Sequence, residues 1–435
     1  MERPEASQLT GSVSELREHL THIIRAAIEA ADARLLVRRA VEGLDIVTML
    51  QSARAVDVVA VGKAARPMLS AFASTSTAPI RSRLIIGPAE AGHPVPDERS
   101  VACARKALQI ANTAAPQDVL VVLLSGGASS LMALPCGDLP LQAKRETVRL
   151  LLAGGADITE LNTVRKHLSA IKGGQLAAAC SGAVLTLAIS DVVGDDLAVI
   201  GSGPTVADPS TFHDAAAVLD RRGGRDRFPA EVVSILEQGA AGELPETPKP
   251  GAPWFMRSSA RVIGGAADAV AGGRATAASL GYHVRVIENA VVGESRAAAA
   301  AHAAQVLTLA ASAPRPLCVL SYGETTVHVT GAGKGGRNQE FALAMVPGLE
   351  ALGGQVMAAS VGTDGVDGPT DAAGAVIDAT TLERARAHGL EPATFLDDNN
   401  TYEFFRALDD LVMLGPTNTN VGDIQVVLVD SVRAN

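Results

Sequence analysis

The residues best suited to chemistry in this chain are charged or hydroxylated side chains placed just after apolar runs of strand length. Lys63 follows Val56–Val61 (VDVVAV), Ser125-Gly-Gly-Ala-Ser-Ser130 follows 118–124 (DVLVVLL), and Asp191 follows 183–190 (AVLTLAIS). Asp364 comes after the run 356–361, and Arg337 after a glycine loop, Gly331-Ala-Gly-Lys-Gly-Gly336, that carries Lys334. Two kinds of chemistry suit this set. Small-residue loops that open helices leave backbone N–H groups for an anion, and the helix dipole adds to their pull. Lys63, Lys334 and Arg337 put positive charge at such places, Arg337 as a planar fork that matches phosphate or carboxylate. Asp191 and Asp364 are oxygen donors of the kind that hold Mg2+ together with a substrate's phosphates. A bound phosphate and a hard cation are the chemistry to expect.

Two named motifs overlap the glycine loop. Gly331, Gly333 and Gly336 spell GxGxxG, after a β-branched stretch (325–330) and before a helical pattern from Arg337. A dinucleotide site also asks for an acidic residue about 20 residues on. Asp364, which closes the next run, lies further along. The Walker pattern fails, because His328 stands where its first glycine belongs and Gly335 follows the lysine. A glycine-rich hairpin with exposed charges is the plainer alternative, and the strand–loop–helix context favours the phosphate cradle.

Further candidates are less specific. Asn162 reads as the cap of a helix over 163–179, with Arg165 and Lys172 along one edge and Lys166 further round. Three cations in eight residues of a chain with net charge −10 suggest one wall of an anion pocket. Asp195 and Asp196 fit turns or caps as well as they fit a metal. The stretch Gly362-Thr-Asp-Gly-Val-Asp-Gly does not fit the DxDxDG calcium loop, and an Asp/Gly turn is its plain reading.

Apolar runs emptying into loops, interleaved with helical patterns, call for an α/β fold with buried parallel strands. At 435 residues the chain exceeds one ordinary core, so two domains are expected, with 243–253 as the linker. Residues 1–11 read as a tail, and Ser12 or Ser14 as the cap of a first helix. Aromatic residues are only 3%, so the core must be aliphatic. The negative net charge argues against a nucleic-acid surface. Four scattered cysteines, without CxxC, point to free thiols in a reducing compartment. The first residues lack an apolar signal core, and the alanine-rich tract 297–313 is interrupted by His302 and Gln305, so no membrane partner and a cytoplasmic location are expected. Oligomeric state is not legible, and a homodimer is kept as an expectation.

Ordered motifs from about Leu16 to Val429 resemble the type-2 glycerate kinases, the glycerate 2-kinase family whose C-terminal half is the MOFRL domain. They are VGKAA (61–65), GHPVPDERS (92–100), LLSGGASSL (123–131), LNTVRKHLSAIKGGQLA (161–177), SDVVGDDLAVIGSGPTVADP (190–209), SYGETTVHVTGAGKGGRNQE (321–340), VGTDGVDGPTDAAG (361–374) and TNTNVGD (417–423). Ala128 departs from the pattern, where relatives often have glycine. The resemblance implies two three-layer α/β domains, 12–245 and 255–435, with Rossmann-like, mainly parallel sheets and a cleft between them. It implies ATP-dependent phosphorylation of D-glycerate at the 2-hydroxyl with Mg2+. Lys63 and Arg337 match the family's active-site lysine and arginine and would meet the transferring phosphate and the substrate carboxylate. Asp191 and Asp364 would hold Mg2+ or orient the hydroxyl. Ser125, Gly126, Gly127, Ser129, Lys334 and Gly335 would cradle phosphates, with Arg165, Lys172, Glu324 and Asn338 completing the contacts to substrate and nucleotide. The alternative within the family is a hydroxypyruvate reductase using NAD(P)H, supported only by the GxGxxG letters.

Overall fold

A computed structural model describes residues 13–352 and 355–430. The tail and Ser12 lie outside them. The chain divides into two compact units, one made of Ala33–Gly264 and the other of the residues before it together with those from Gly265 on.

The first unit is built on five parallel strands, β1 (Val56–Val61), β2 (Ile80–Ile86), β3 (Val119–Leu124), β4 (Ala183–Ile189) and β5 (Ser258–Gly264), in the order β2-β1-β3-β4-β5. Every residue of β1 and β3 is buried, as continuous Val/Leu runs covered on both faces must be. Asp57 is the polar exception in β1. It is 1% exposed and satisfied by Arg81 and by the Ser82 hydroxyl at 2.6 Å. Arg81 and Arg54 also hold Asp118, at the start of the neighbouring strand. These ion pairs tie down one end of the sheet and leave the other for the loops. From β1 the chain steps outward to β2 and then returns past β1 to β3, which makes the β1/β3 boundary a topological switch point, where doubly wound sheets bind ligands.

The division differs from the expected boundary. β5 lies beyond the Pro-rich stretch 243–253 yet pairs with β4 from Val184↔Ser258 onward. That stretch is fastened to the first unit, with Glu246 on His167 (3.2 Å) and Thr247 on Asp208 (3.0 Å), so its prolines mark a surface connection into an edge strand. The first helix, Val13–Ala30, belongs to the second unit. It packs so closely on the helix Ala266–Ser279 that a Cβ on Gly272 would fall 2.4 Å from the Ala30 Cβ.

The second unit carries β6 (His283–Val286), β7 (Val291–Glu294), β8 (Leu317–Thr326), β9 (Val356–Gly362), β10 (Gly374–Asp378), β11 (Leu411–Val412) and β12 (Asp423–Val429) in one sheet, ordered β11-β10-β9-β12-β8-β6 with β7 also on β8. β6 and β7 run parallel to β8, whereas β8, β12, β9, β10 and β11 pair antiparallel. The α/β class holds, and the mainly parallel sheet holds for the first unit alone. A fully buried strand such as β12 has the same apolar signature in either direction, so its sequence could not show this. The β-branched stretch 325–330 is not a strand of its own: β8 runs from Leu317 through Thr326, and the irregular loop begins after it. None of the described helices is long and apolar enough to cross a membrane.

Candidate active site

In the first unit the loops after β1 and β3 leave the sheet side by side. Lys63 N donates to Gly126 O and Ser125 N to Val61 O, both at 2.9 Å, and Ala64 N donates to Ser125 Oγ at 3.1 Å. Gly62 adopts φ +125° here, where a Cβ would stand 2.1 Å from Ser125 Oγ. Gly127, at φ +82°, leaves only 2.8 Å between a would-be Cβ and His93 Nε2, and 3.6 Å to Lys63 Cγ. Three loops therefore bring Lys63, His93 and Gly127 into one patch at the switch point. Lys63 is exposed there, and Ser125 is fully buried with its hydroxyl spent on the paired loop. Ser125 thus shapes the turn and cannot offer that hydroxyl to a phosphate.

The helix expected over 163–179 is in fact Ile158–His167, capped by a box between Asp157 and Glu160, followed by a turn through Gly173 and Gly174 at φ +56° and +83° and a short helix, Gln175–Ala178. Asn162 is inside the helix rather than at its cap, and Arg165 and Lys172 do not share a helix edge. Lys166 pairs with buried Asp208 at 3.3 Å. Lys172, 1% exposed, donates to Ser129 O (2.8 Å), Ser129 Oγ (3.0 Å) and Gly201 O (3.3 Å), and burial holds its amine well below the usual lysine value. It pins the β3 loop to the 200–203 turn. Arg165 is half-buried, and Asp191 is half-buried at the end of β4. Asp195 and Asp196 sit in the turn that follows, the Asp196 carboxylate accepting from Ala198 N.

In the second unit Arg337 opens the helix Arg337–Glu350. Its Nε and Nη2 grip both oxygens of Asp423 (2.6 and 2.9 Å), and Nη1 reaches Glu324 at 2.7 Å. Asp423 begins β12, in register between Gly323 of β8 and Gly362 of β9, and is 1% exposed. The acceptor at the helix N-terminus is the protein's own Asp367 carboxyl, which accepts from Asn338 N (3.0 Å) and Gln339 N (2.9 Å). Burial pushes the Asp367 carboxyl up to about 7, against the pull of those N–H groups and of Arg337, with Asp423 adding to the rise. Asn338 Nδ2 donates to Asp423 at 3.0 Å, and Asn338 Oδ1 accepts from Ser360 Oγ at 2.7 Å. Gln425 joins Ser360 (3.4 Å) to Ser321 (2.9 Å), and Ser321 joins His302 (2.8 Å). A buried polar chain thus crosses the sheet from His302 to the Arg337 pair. It fixes the carboxylate that fixes the guanidinium.

The glycine loop is not a phosphate cradle. The N–H groups of Thr330 and Gly331 donate to Asn399 Oδ1 (2.8 and 2.9 Å), those of Ala332 and Gly333 to Asp398 (3.0 and 2.9 Å), and that of Lys334 to Asn400 Oδ1 (3.1 Å). A Cβ would lie 2.4 Å from Asn400 Cβ at Gly333, 2.4 Å from Thr401 Oγ1 at Gly335, and 2.2 Å from Asp367 Cγ at Gly336. The glycines permit close packing against protein, which reads in sequence exactly as close approach to a ligand would. Lys334 lies exposed, 4.2 Å from the Tyr402 ring centroid, in a cation–π contact. A pyrophosphate at this helix start would have to take the place of Asp367, so the dinucleotide reading of GxGxxG fails with the cradle.

Asp364, half-buried just past β9, accepts from Val366 N at 3.1 Å. Among the described residues there is no group of three or more His, Cys, Asp or Glu that could hold a metal. Asp191 and Asp364 therefore belong to no all-protein metal cage among these residues. Asp367 and Asp423 were missed as site residues, because in sequence each is one more aspartate in a turn. The signal available was their recurrence at strand ends, in VGTDGVDG and TNTNVGD.

The Asp367 shift has a testable sign. A carboxyl at the ordinary value when unfolded and at about 7 when folded keeps its proton in the native state across that interval, so stability falls as pH rises from about 4 to about 7. Denaturant titrations should show wild type losing stability relative to Asp367→Asn over this window. A constant difference between the two would contradict the shift.

Family models match two stretches of this chain: a domain of unknown function (DUF4147) over residues 19–237 and the MOFRL family over 317–423. A glycerate 2-kinase of Pyrococcus horikoshii is 37% identical, over 96% of this chain and 98% of its own. A putative hydroxypyruvate reductase of Agrobacterium vitis is 42% identical, over 78% of this chain and 76% of its own. A solved glycerate kinase of Thermotoga maritima superposes with TM-score 0.78 at 34% identity, over 96% of this chain and all of that one.

Proposed function

The chain belongs to the glycerate 2-kinase family, with MOFRL as its C-terminal part, and from that footing we propose that it transfers the terminal phosphoryl group of ATP to the 2-hydroxyl of D-glycerate. That it is a glycerate kinase follows from near-full-length relatives of that name. The observation that carries the finer reading is the Lys63 patch at the switch point. Phosphoryl transfer is largely positioning and charge neutralisation, and an exposed lysine fixed beside the Gly126–Gly127 turn supplies both. Lys63 neutralises the transferring phosphate there, and Asp191, at the neighbouring strand end, orients the hydroxyl.

In the second unit three of the five guanidinium N–H groups of Arg337 go to Asp423 and Glu324, which leaves two for an anion. Glu324 and Asp423 alone outweigh that one cation. Such a place favours a phosphate that arrives with its own Mg2+, and Asp364 is the carboxylate that would hold it. Mg2+, when bound, neutralises charge on the phosphate oxygens.

The reductase reading has little support, since the loop that spelled its motif is filled by the protein itself. Phosphorus NMR of the product from D-glycerate and MgATP tests the proposal, with the 2-phosphate expected and no NADH oxidation with hydroxypyruvate. The 3-phosphate as product would overturn the assigned hydroxyl. Robust NADH oxidation without ATP would overturn the kinase reading.

A further inference from the structure

Beside the switch-point patch the first unit has a cavity of about 510 Å3, walled by Arg165, Lys144, Lys172 and Ser129 and, on its apolar side, by Val148 and Leu152, where its one carboxylate, Glu146, is held by Arg149 at 2.6 Å. We propose that this cavity binds the nucleotide, with its phosphates on the Arg165 side and its base against the Val148–Leu152 wall. The inference rests on the kinase reading above and names where that kinase holds ATP.

The charge balance carries it furthest. Lys144 and Lys172 are 4% and 1% exposed, and their amines meet only carbonyl and hydroxyl oxygens, Lys144 reaching Leu168 O at 2.7 Å. Neither these two nor Arg165 has an ion-pair partner among the described residues. The Arg165 guanidinium also makes no hydrogen bond among them. Buried cations are ordinarily paired, and a half-buried guanidinium ordinarily finds acceptors for its N–H groups. Burial accordingly draws Lys144 down to about 7 and Arg165 to about 10. An anion entering the cavity would relieve all three groups at once. In a chain with net charge −10, a charged guanidinium and two buried amines that share one cavity without a carboxylate on any of them suit an anionic occupant.

Size and lining select which anion. The volume lies within the range of roughly 300–1,000 Å3 that suits a ligand of nucleotide size, and a three-carbon acid would leave most of it empty. The apolar wall has no use for glycerate but suits a flat base. Location agrees as well. Pro94 and Pro96 follow His93 on one rim, and Ser129 and Ser130 follow Gly127 on another. A polyphosphate held at Arg165 is thereby directed toward the patch that contains Lys63. Lys144 had no sequence signal, since one lysine in LQAKRETVRL reads as a solvated helix face.

Direct binding of a fluorescent N-methylanthraniloyl ADP to the full-length protein provides the test, alongside KM for ATP and for D-glycerate. Arg165→Gln removes the unpaired fork. Leu152→Glu places a carboxylate on the apolar wall at a residue 56% exposed, where the fold should tolerate it. Each variant should weaken binding of the fluorescent ADP by tenfold or more and raise KM for ATP, with KM for D-glycerate within about twofold. Wild-type affinity for the fluorescent ADP in both variants would overturn the proposal. So would a loss confined to KM for D-glycerate, which would assign the cavity to the acid. Because the binding signal needs no turnover, a failure of the kinase reading would register separately, as nucleotide binding without phosphate transfer.

Discussion

Replacing Lys63 by methionine should lower kcat/KM by about 10²–10³-fold while leaving the protein folded. Lys63 is exposed at the end of β1, and its backbone is held by the bond from its N–H to Gly126 O, which any residue can make. Methionine keeps the unbranched stem and removes the charge. The loss expected for one preorganised electrostatic contact is about 2.7–4 kcal/mol, acting on the transferring phosphoryl group. It should fall mainly on kcat, because the charge spread over the phosphoryl oxygens is what the ammonium meets. Steady-state kinetics with each substrate varied, beside a denaturation curve, checks this. Near-wild-type kcat and KM would remove Lys63 from the site.

Arg337→Lys is expected to be severe for a different reason. Arg337 grips both oxygens of Asp423 and also reaches Glu324, a geometry that an ammonium cannot reproduce. Asp423 is 1% exposed, so weakening this one guanidinium leaves its buried carboxylate under-compensated. A fall in kcat of about 10²-fold is expected for the lysine variant. Arg337→Met should in addition cost about 3–5 kcal/mol of stability, the usual penalty for breaking a buried pair from one side. The double variant Arg337→Met/Asp423→Asn distinguishes the roles. If Arg337 acts on the phosphate as well as on Asp423, the double variant regains stability without regaining activity. Recovery of both would make Arg337 a purely structural partner of Asp423.

Sequence alone determined a good deal here. Continuous apolar runs such as VDVVAV and VLVVLL have to be buried on both faces, and each marks a strand whose end opens at a loop. Lys63, Asp191 and Asp364 were therefore legible as strand-end residues, because that placement depends only on local chain order. The family, too, was written in ordered motifs. Tertiary structure decided what those loops face. The glycines of 331–336 need close approach, but only the fold shows that Asp398–Asn400 and Asp367 do the approaching. It likewise decided that Lys166 is paired while Arg165 is not, since a cation's partner is set by residues distant in sequence, Asp208 for the one and none among the described residues for the other. Strand direction in the second unit escaped the sequence for the same reason. Burial on both faces is a property of each strand, whereas parallel or antiparallel pairing is a property of two.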